Sequence, residues 1–141
     1  MTEGASNMRA DTQELAKRSM THTIRLFLLL EAAVFAVAAL VHSGALVQGY
    51  EHPQARVAET VIASVLLGGL VLSLLSPEWT RTASLITQGF ALLGTLVGIF
   101  TIIIGIGPRT VPDIVYHVAI VAVLIWGLVV AKRAPHRHPA V

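Results

Sequence analysis

Four long apolar blocks, residues 26–47, 57–76, 83–106 and 111–131, alternate with short polar stretches along the chain. Each block is close to the ~20 residues a helix needs to cross ~30 Å of hydrocarbon, so the pattern predicts four transmembrane helices. The connections, residues 48–56, 77–82 and 107–111, are brief enough to set neighbouring helices antiparallel. The predicted fold class is therefore all-α integral membrane, a four-transmembrane-helix bundle of up-down-up-down antiparallel topology. It divides the chain into an N-terminal segment (1–23), the bundle (24–131) and a tail (132–141). Asp11, Glu14, Lys17 and Arg18 stand at helix-compatible spacing and predict a short surface helix leading into the first span. Trp79 suits an interfacial anchor, and Pro112 suits the first turn of the fourth helix.

Charge orients the bundle. Arg9, Lys17, Arg18 and Arg25 precede or open the first span, Arg81 lies between the second and third, and Lys132, Arg133 and Arg137 follow the fourth. Only Arg56 and Arg109 fall in the other two loops. That asymmetry predicts both termini on the cytoplasmic side, N-in/C-in, in a bacterial inner membrane, with the basic ends meeting lipid head groups. A cleaved signal peptide fits the first block poorly, because the run exceeds the usual apolar region and no A-x-A site follows.

Composition narrows the chemistry. Charged residues make up 13% of the chain, against about a quarter in a soluble domain. Almost nothing is left for a soluble domain, so function belongs to the membrane helices and their loops. No basic face on a folded domain exists for nucleic acid. The absence of cysteine removes disulfides, thiolate zinc sites, iron–sulfur clusters and haem c attachment. The Gly94 and Gly98 pair allows close helix approach, either within the bundle or at a homo-oligomer face.

Ionisable side chains inside spans are costly and mark candidate sites. His42 ends the first span on the outer side, Glu59 begins the second there, and Asp113 and His117 begin the fourth. Asp113 and His117 are four residues apart and lie one above the other on a helix. Four ligand-type side chains from three helices thus arrive at one membrane level, with Glu51 and His52 in the adjoining loop. Two imidazoles and two carboxylates form a nitrogen/oxygen set suited to Cu, Zn or Fe. Glu51 and His52 are candidates for a second ion or for hydrogen bonds to the ligands.

The expectation is a membrane metalloprotein with a mononuclear or dinuclear site at the outer face. Its use would be redox or electron transfer, with a quinone or redox partner, as in a membrane oxidoreductase. A hydrolytic zinc site is disfavoured, since no H-E-x-x-H motif is present. Two readings stay open beside it. His42 and His117 could ligate one haem b. Glu31, deep in the first span, could pair with Gln88 in an inner polar site serving a cofactor or a proton-coupled transporter or accessory subunit. Glu31 and His42 share a helix face but lie ~16 Å apart along it, so they belong to separate sites. His22, His136 and His138 sit at the cytoplasmic ends, and the last two are candidates for a weak metal-binding tail.

Overall fold

The computed structural model describes residues 2–135, which leaves His136, Arg137 and His138 outside the described residues. The chain forms α1 (Thr2–His42), α2 (Pro53–Leu75), a 3-10 turn (Pro77–Trp79), α3 (Thr80–Ile103) and α4 (Val111–Arg133). All four α-helices are long and apolar enough to cross a membrane, and the protein is a multi-pass membrane protein in contact with lipid. Leu26, Val37, Leu74, Ile86, Leu93, Ile103 and Trp126 stand exposed around the bundle. In lipid such a surface carries no penalty, so burial here sorts residues by packing and polarity rather than by apolar character.

Several helix boundaries differ from the sequence expectation. Helix α1 takes in the N-terminal segment from Thr2 onward, as one 41-residue helix instead of a separate surface helix. Good helix formers fill that stretch, with Lys17 and Glu14 paired at 3.2 Å. At its other end α1 stops at His42 rather than 47, because Gly44 and Gly49 adopt positive φ of 78° and 87°. Helix α2 starts earlier, at Pro53, where the His52 side chain accepts the Ala55 N–H as N-cap. Helix α3 ends at Ile103. Gly105 turns with φ 87°, and Arg109 donates from Nε and Nη2 to the Ile102 and Ile103 carbonyls at 2.8 and 2.6 Å. Those are orphan acceptors of a helix end, matched by a cation.

The core runs along one face of each helix: Ile24, Leu28, Ala32 and Phe35 of α1, Ile62 and Leu66 of α2, Ala91 of α3, Ile120 and Leu124 of α4. The C-terminal end of α1 meets the N-terminal ends of α2 and α4 through His42, Glu59 and Asp113. Lower on α1, Arg25 donates to the Ser73 hydroxyl at 3.0 Å and to the Ser73 carbonyl, holding the end of α2. Gly94 faces Ile62 of α2 and Gly98 faces His117 of α4, so both glycines serve packing within the chain.

Adjacent glycines on α2 provide a test of this packing. A Cβ on Gly68 meets nothing within 4 Å, whereas on Gly69 it falls 2.6 Å from Thr87 Oγ1. That hydroxyl is held by the Ala83 carbonyl at 2.9 Å and cannot swing aside freely. Gly68→Ala should stabilise by up to about 1 kcal/mol through helix propensity. Gly69→Ala should destabilise by about 1–3 kcal/mol through overpacking. Unfolding midpoints in detergent titrated with dodecyl sulfate check both; equal midpoints for the two variants would contradict the packing.

Candidate functional site

His42 is the centre of the polar cluster. It is the last residue of α1, 4% exposed, and both of its ring nitrogens face carboxylates. Nδ1 lies 2.7 Å from Glu59 Oε2 on α2, and Nε2 lies 3.2 Å from Asp113 Oδ1 on α4. Glu59 and Asp113 are each 6% exposed. Three helices are thus joined by one imidazole. The reason lies partly in α4: Thr110 and Asp113 form a capping box, in which the Thr110 hydroxyl accepts the Asp113 N–H at 3.3 Å. In return Asp113 Oδ2 accepts the Thr110 N–H and hydroxyl, so its Oδ1 is left for His42.

The protonation of this triad is constrained by counting. Two N···O hydrogen bonds need two protons among one imidazole and two carboxyl groups. Either His42 is an imidazolium between two carboxylates, or it is neutral and one carboxyl carries a proton. Both arrangements carry a net charge of −1, and one proton hop converts one into the other. A carboxylate–imidazole–carboxylate chain of this kind can pass a proton from Asp113 to Glu59, or back.

Two cavities flank the chain. A groove of about 560 Å³ between α1 and α4 has apolar walls from Val34, Val37 and Val41, and a polar end at His42, Asp113 and Tyr116. A second cavity of about 250 Å³ is lined by Glu59, His117, His52, Thr95 and Tyr116. Asp113 therefore lines the first, Glu59 the second, and His42 links them. Tyr116 borders both. Its ring packs edge-on against Phe35 at 6.2 Å, and its buried hydroxyl has no hydrogen-bond partner.

The remaining candidate residues divide. His117 donates from Nδ1 to the Asp113 backbone carbonyl at 2.7 Å. Since a carbonyl only accepts, Nδ1 carries a proton, and Nε2 lies beside Gly98 in the second cavity without a hydrogen bond to the triad. His117 thus shares the level of the triad without bonding to its side chains. His52 is spent on structure: Nδ1 caps α2 at 3.3 Å, and Nε2 meets the Ile106 carbonyl at 3.3 Å. Glu51 turns back into its own exposed loop and accepts the Gly49 N–H at 2.9 Å. Backbone N–H groups of Glu51 itself and of Gly49 hold its carboxyl below the usual carboxylate range.

Among the described residues, no group of three or more His, Asp and Glu side chains is arranged to hold a metal ion. A metal or a haem iron on His42 would have to displace one of its two carboxylate bonds. Comparison with family models, with curated proteins and with solved structures found no match. The function must be argued from the site.

One level lower, Glu31 and Gln88 do come together, across from Gly127 of α4. Sequence reasoning singled out the first two and passed over Gly127, Tyr116 and Thr110. The Thr110-x-x-Asp113 spacing was the available signal for the cap. A lone glycine or tyrosine in an apolar span gave none.

Proposed function

We propose that this protein binds a lipid-soluble quinone or quinol in the groove between α1 and α4, and exchanges its proton through Asp113, His42 and Glu59. The observation that carries this reading is the placement of the triad between a lipid-facing groove and a second cavity that Glu59 and His117 help to line. The ligand class follows from the chemistry of the groove. Long apolar walls suit an isoprenoid tail, and the volume lies in the range of small-molecule sites. At the polar end stand Asp113, His42 and Tyr116, residue types able to accept from a hydroxyl and to donate to a carbonyl, matching a ring that bears both kinds of oxygen. A phosphate head group is disfavoured, because the triad is already net negative.

In this reading the helices alternate up and down across a bacterial cytoplasmic membrane, with both termini inside, as the distribution of Lys and Arg indicates. The His42 level then lies near the outer face, and protons pass between the bound head group and the outer side. Binding of short-tailed benzoquinones and naphthoquinones to the protein in nanodiscs is the test. Wild type should bind, and Asp113→Asn and His42→Gln should each weaken binding by about tenfold or more, the equivalent of 1.4 kcal/mol. Glu59→Gln, on the far side of the relay, should bind normally but block proton exchange. Absence of binding by wild type would overturn the proposal.

A metal-loaded state is a second reading, favoured by His117. A ring that donates Nδ1–H to a backbone carbonyl has the orientation typical of a metal ligand, with Nε2 free. His42, Glu59, Asp113 and His117 would then gather Cu, Zn or Fe after His42 releases a carboxylate. Metal analysis of chelator-free protein decides it. On this reading His117→Ala strips the ion, His22→Ala does not, and acidification releases it, because imidazole must be neutral to ligate. A protein free of metal would leave the quinone reading alone.

A further inference from the structure

We propose that Glu31 is a proton-binding carboxyl, held neutral against Gln88 and reached from the cytoplasmic end along a buried polar stripe of α3. The word cytoplasmic rests on the orientation proposed above; the site itself is independent of the His42 relay.

Glu31 is 0% exposed, and neither of its carboxyl oxygens has a hydrogen-bond partner. Gln88, also 0% exposed, donates from Nε2 to the Ser84 hydroxyl at 2.8 Å, which leaves Oε1 unpartnered. Gly127 shows how the two groups meet. A Cβ there would lie 2.6 Å from Gln88 Oε1 and 2.7 Å from Glu31 Oε1. Two acceptor oxygens therefore converge on one small space beside the α4 backbone. A hydrogen on Glu31 reconciles them, since the carboxylic O–H can donate to Gln88 Oε1. An ionised carboxylate would stand buried without a donor, at a cost far above that of a neutral acid.

No compensating charge reaches it. None of the salt bridges among the described residues involves Glu31. The facing residues of α3 and α4 are Gln88 and Gly127, and the buried face of α2 offers Leu66 and Ser73. On α1 itself, Arg25 is bonded to Ser73.

Access is one-sided. Toward the His42 level, Phe35, Ile62, Ile120 and Leu124 form an apolar layer, each at most 5% exposed. Toward the other end, α3 presents Thr80, Ser84 and Gln88 at four-residue spacing, all at most 3% exposed. Ser84 bonds to Gln88, and Thr80 Oγ1 meets the Ser73 hydroxyl at 2.9 Å, where Arg25 also donates. Ser84, bonded to the Gln88 amide, and the Thr80 hydroxyl one turn further along α3 mark the side from which a proton reaches Glu31.

Infrared spectra of the protein in nanodiscs at neutral pH test the assignment. Wild type should show a neutral carboxylic acid band that Glu31→Gln removes and Gln88→Leu shifts to higher frequency as its hydrogen bond is lost. Ser84→Ala should slow deuteration of that band on the order of tenfold or more, as expected when a proton donor is removed. Glu31→Gln should still bind quinone, which separates this site from the outer one. A spectrum without the neutral-acid band would mean that Glu31 is ionised, paired with a cation or with a reversed Gln88 amide, and would overturn the proposal. Unchanged deuteration in Ser84→Ala would overturn the path along α3.

Discussion

His42→Ala should destabilise the bundle by about 3–5 kcal/mol, the range found when one member of a buried charged network is removed. The size of the loss distinguishes this cluster from ordinary helix–helix hydrogen bonding, which averages about 0.6 kcal/mol in membranes. Two such bonds alone would cost little more than 1 kcal/mol. The excess comes from Glu59 and Asp113, which His42 now separates at 2.7 and 3.2 Å. Without the imidazole they are left as two buried carboxylates with no donor between them. Adding Glu59→Gln and Asp113→Asn to His42→Ala should recover most of the loss, because no like charges remain. Unfolding free energies from dodecyl sulfate titration measure both effects; a loss under about 1 kcal/mol would show that the triad is a weak contact.

The second large effect is expected at Gly127→Ala, with a loss of about 1–3 kcal/mol from overpacking. The added methyl would enter the space where the Gln88 and Glu31 oxygens converge, at 2.6 and 2.7 Å. Neither side chain has somewhere else to go, since Glu31 and Gln88 are both 0% exposed. Gly89→Ala, with nothing within 4 Å of its Cβ, is the matching control on α3 and should be neutral or mildly stabilising. Comparable stability of Gly127→Ala and Gly89→Ala would contradict the close approach of α4 to the Glu31 pair.

Much of this arrangement is legible in the sequence, for identifiable reasons. Four apolar blocks of bilayer length mark the helices, because backbone groups in lipid must be satisfied within a segment. The ends are harder to read. Residues 45–47 are apolar, yet they follow the positive-φ Gly44 and belong to a turn. Conversely, polar residues 11–18 continue α1, since helix formation there does not need an apolar face. For the site, helical periodicity and short loops bring His42, Glu59 and Asp113 to one level. What periodicity cannot give is the side-chain arrangement. The central place of His42, the turning away of Glu51, and the use of His52 as a cap all depend on rotamers and loop geometry. Tyr116 and Gly127 acquire meaning only through their neighbours, Phe35 in one case and the Glu31–Gln88 pair in the other.

The proposed relay is tested most directly by nitrogen NMR of histidine-labelled protein in nanodiscs during titration with a short-tailed quinol. The account predicts that both ring nitrogens of His42 are hydrogen-bonded before addition. Both should shift as quinol binds beside Asp113, while those of His22 stay unchanged. Ring nitrogens of His42 that do not move at saturating quinol would contradict the relay.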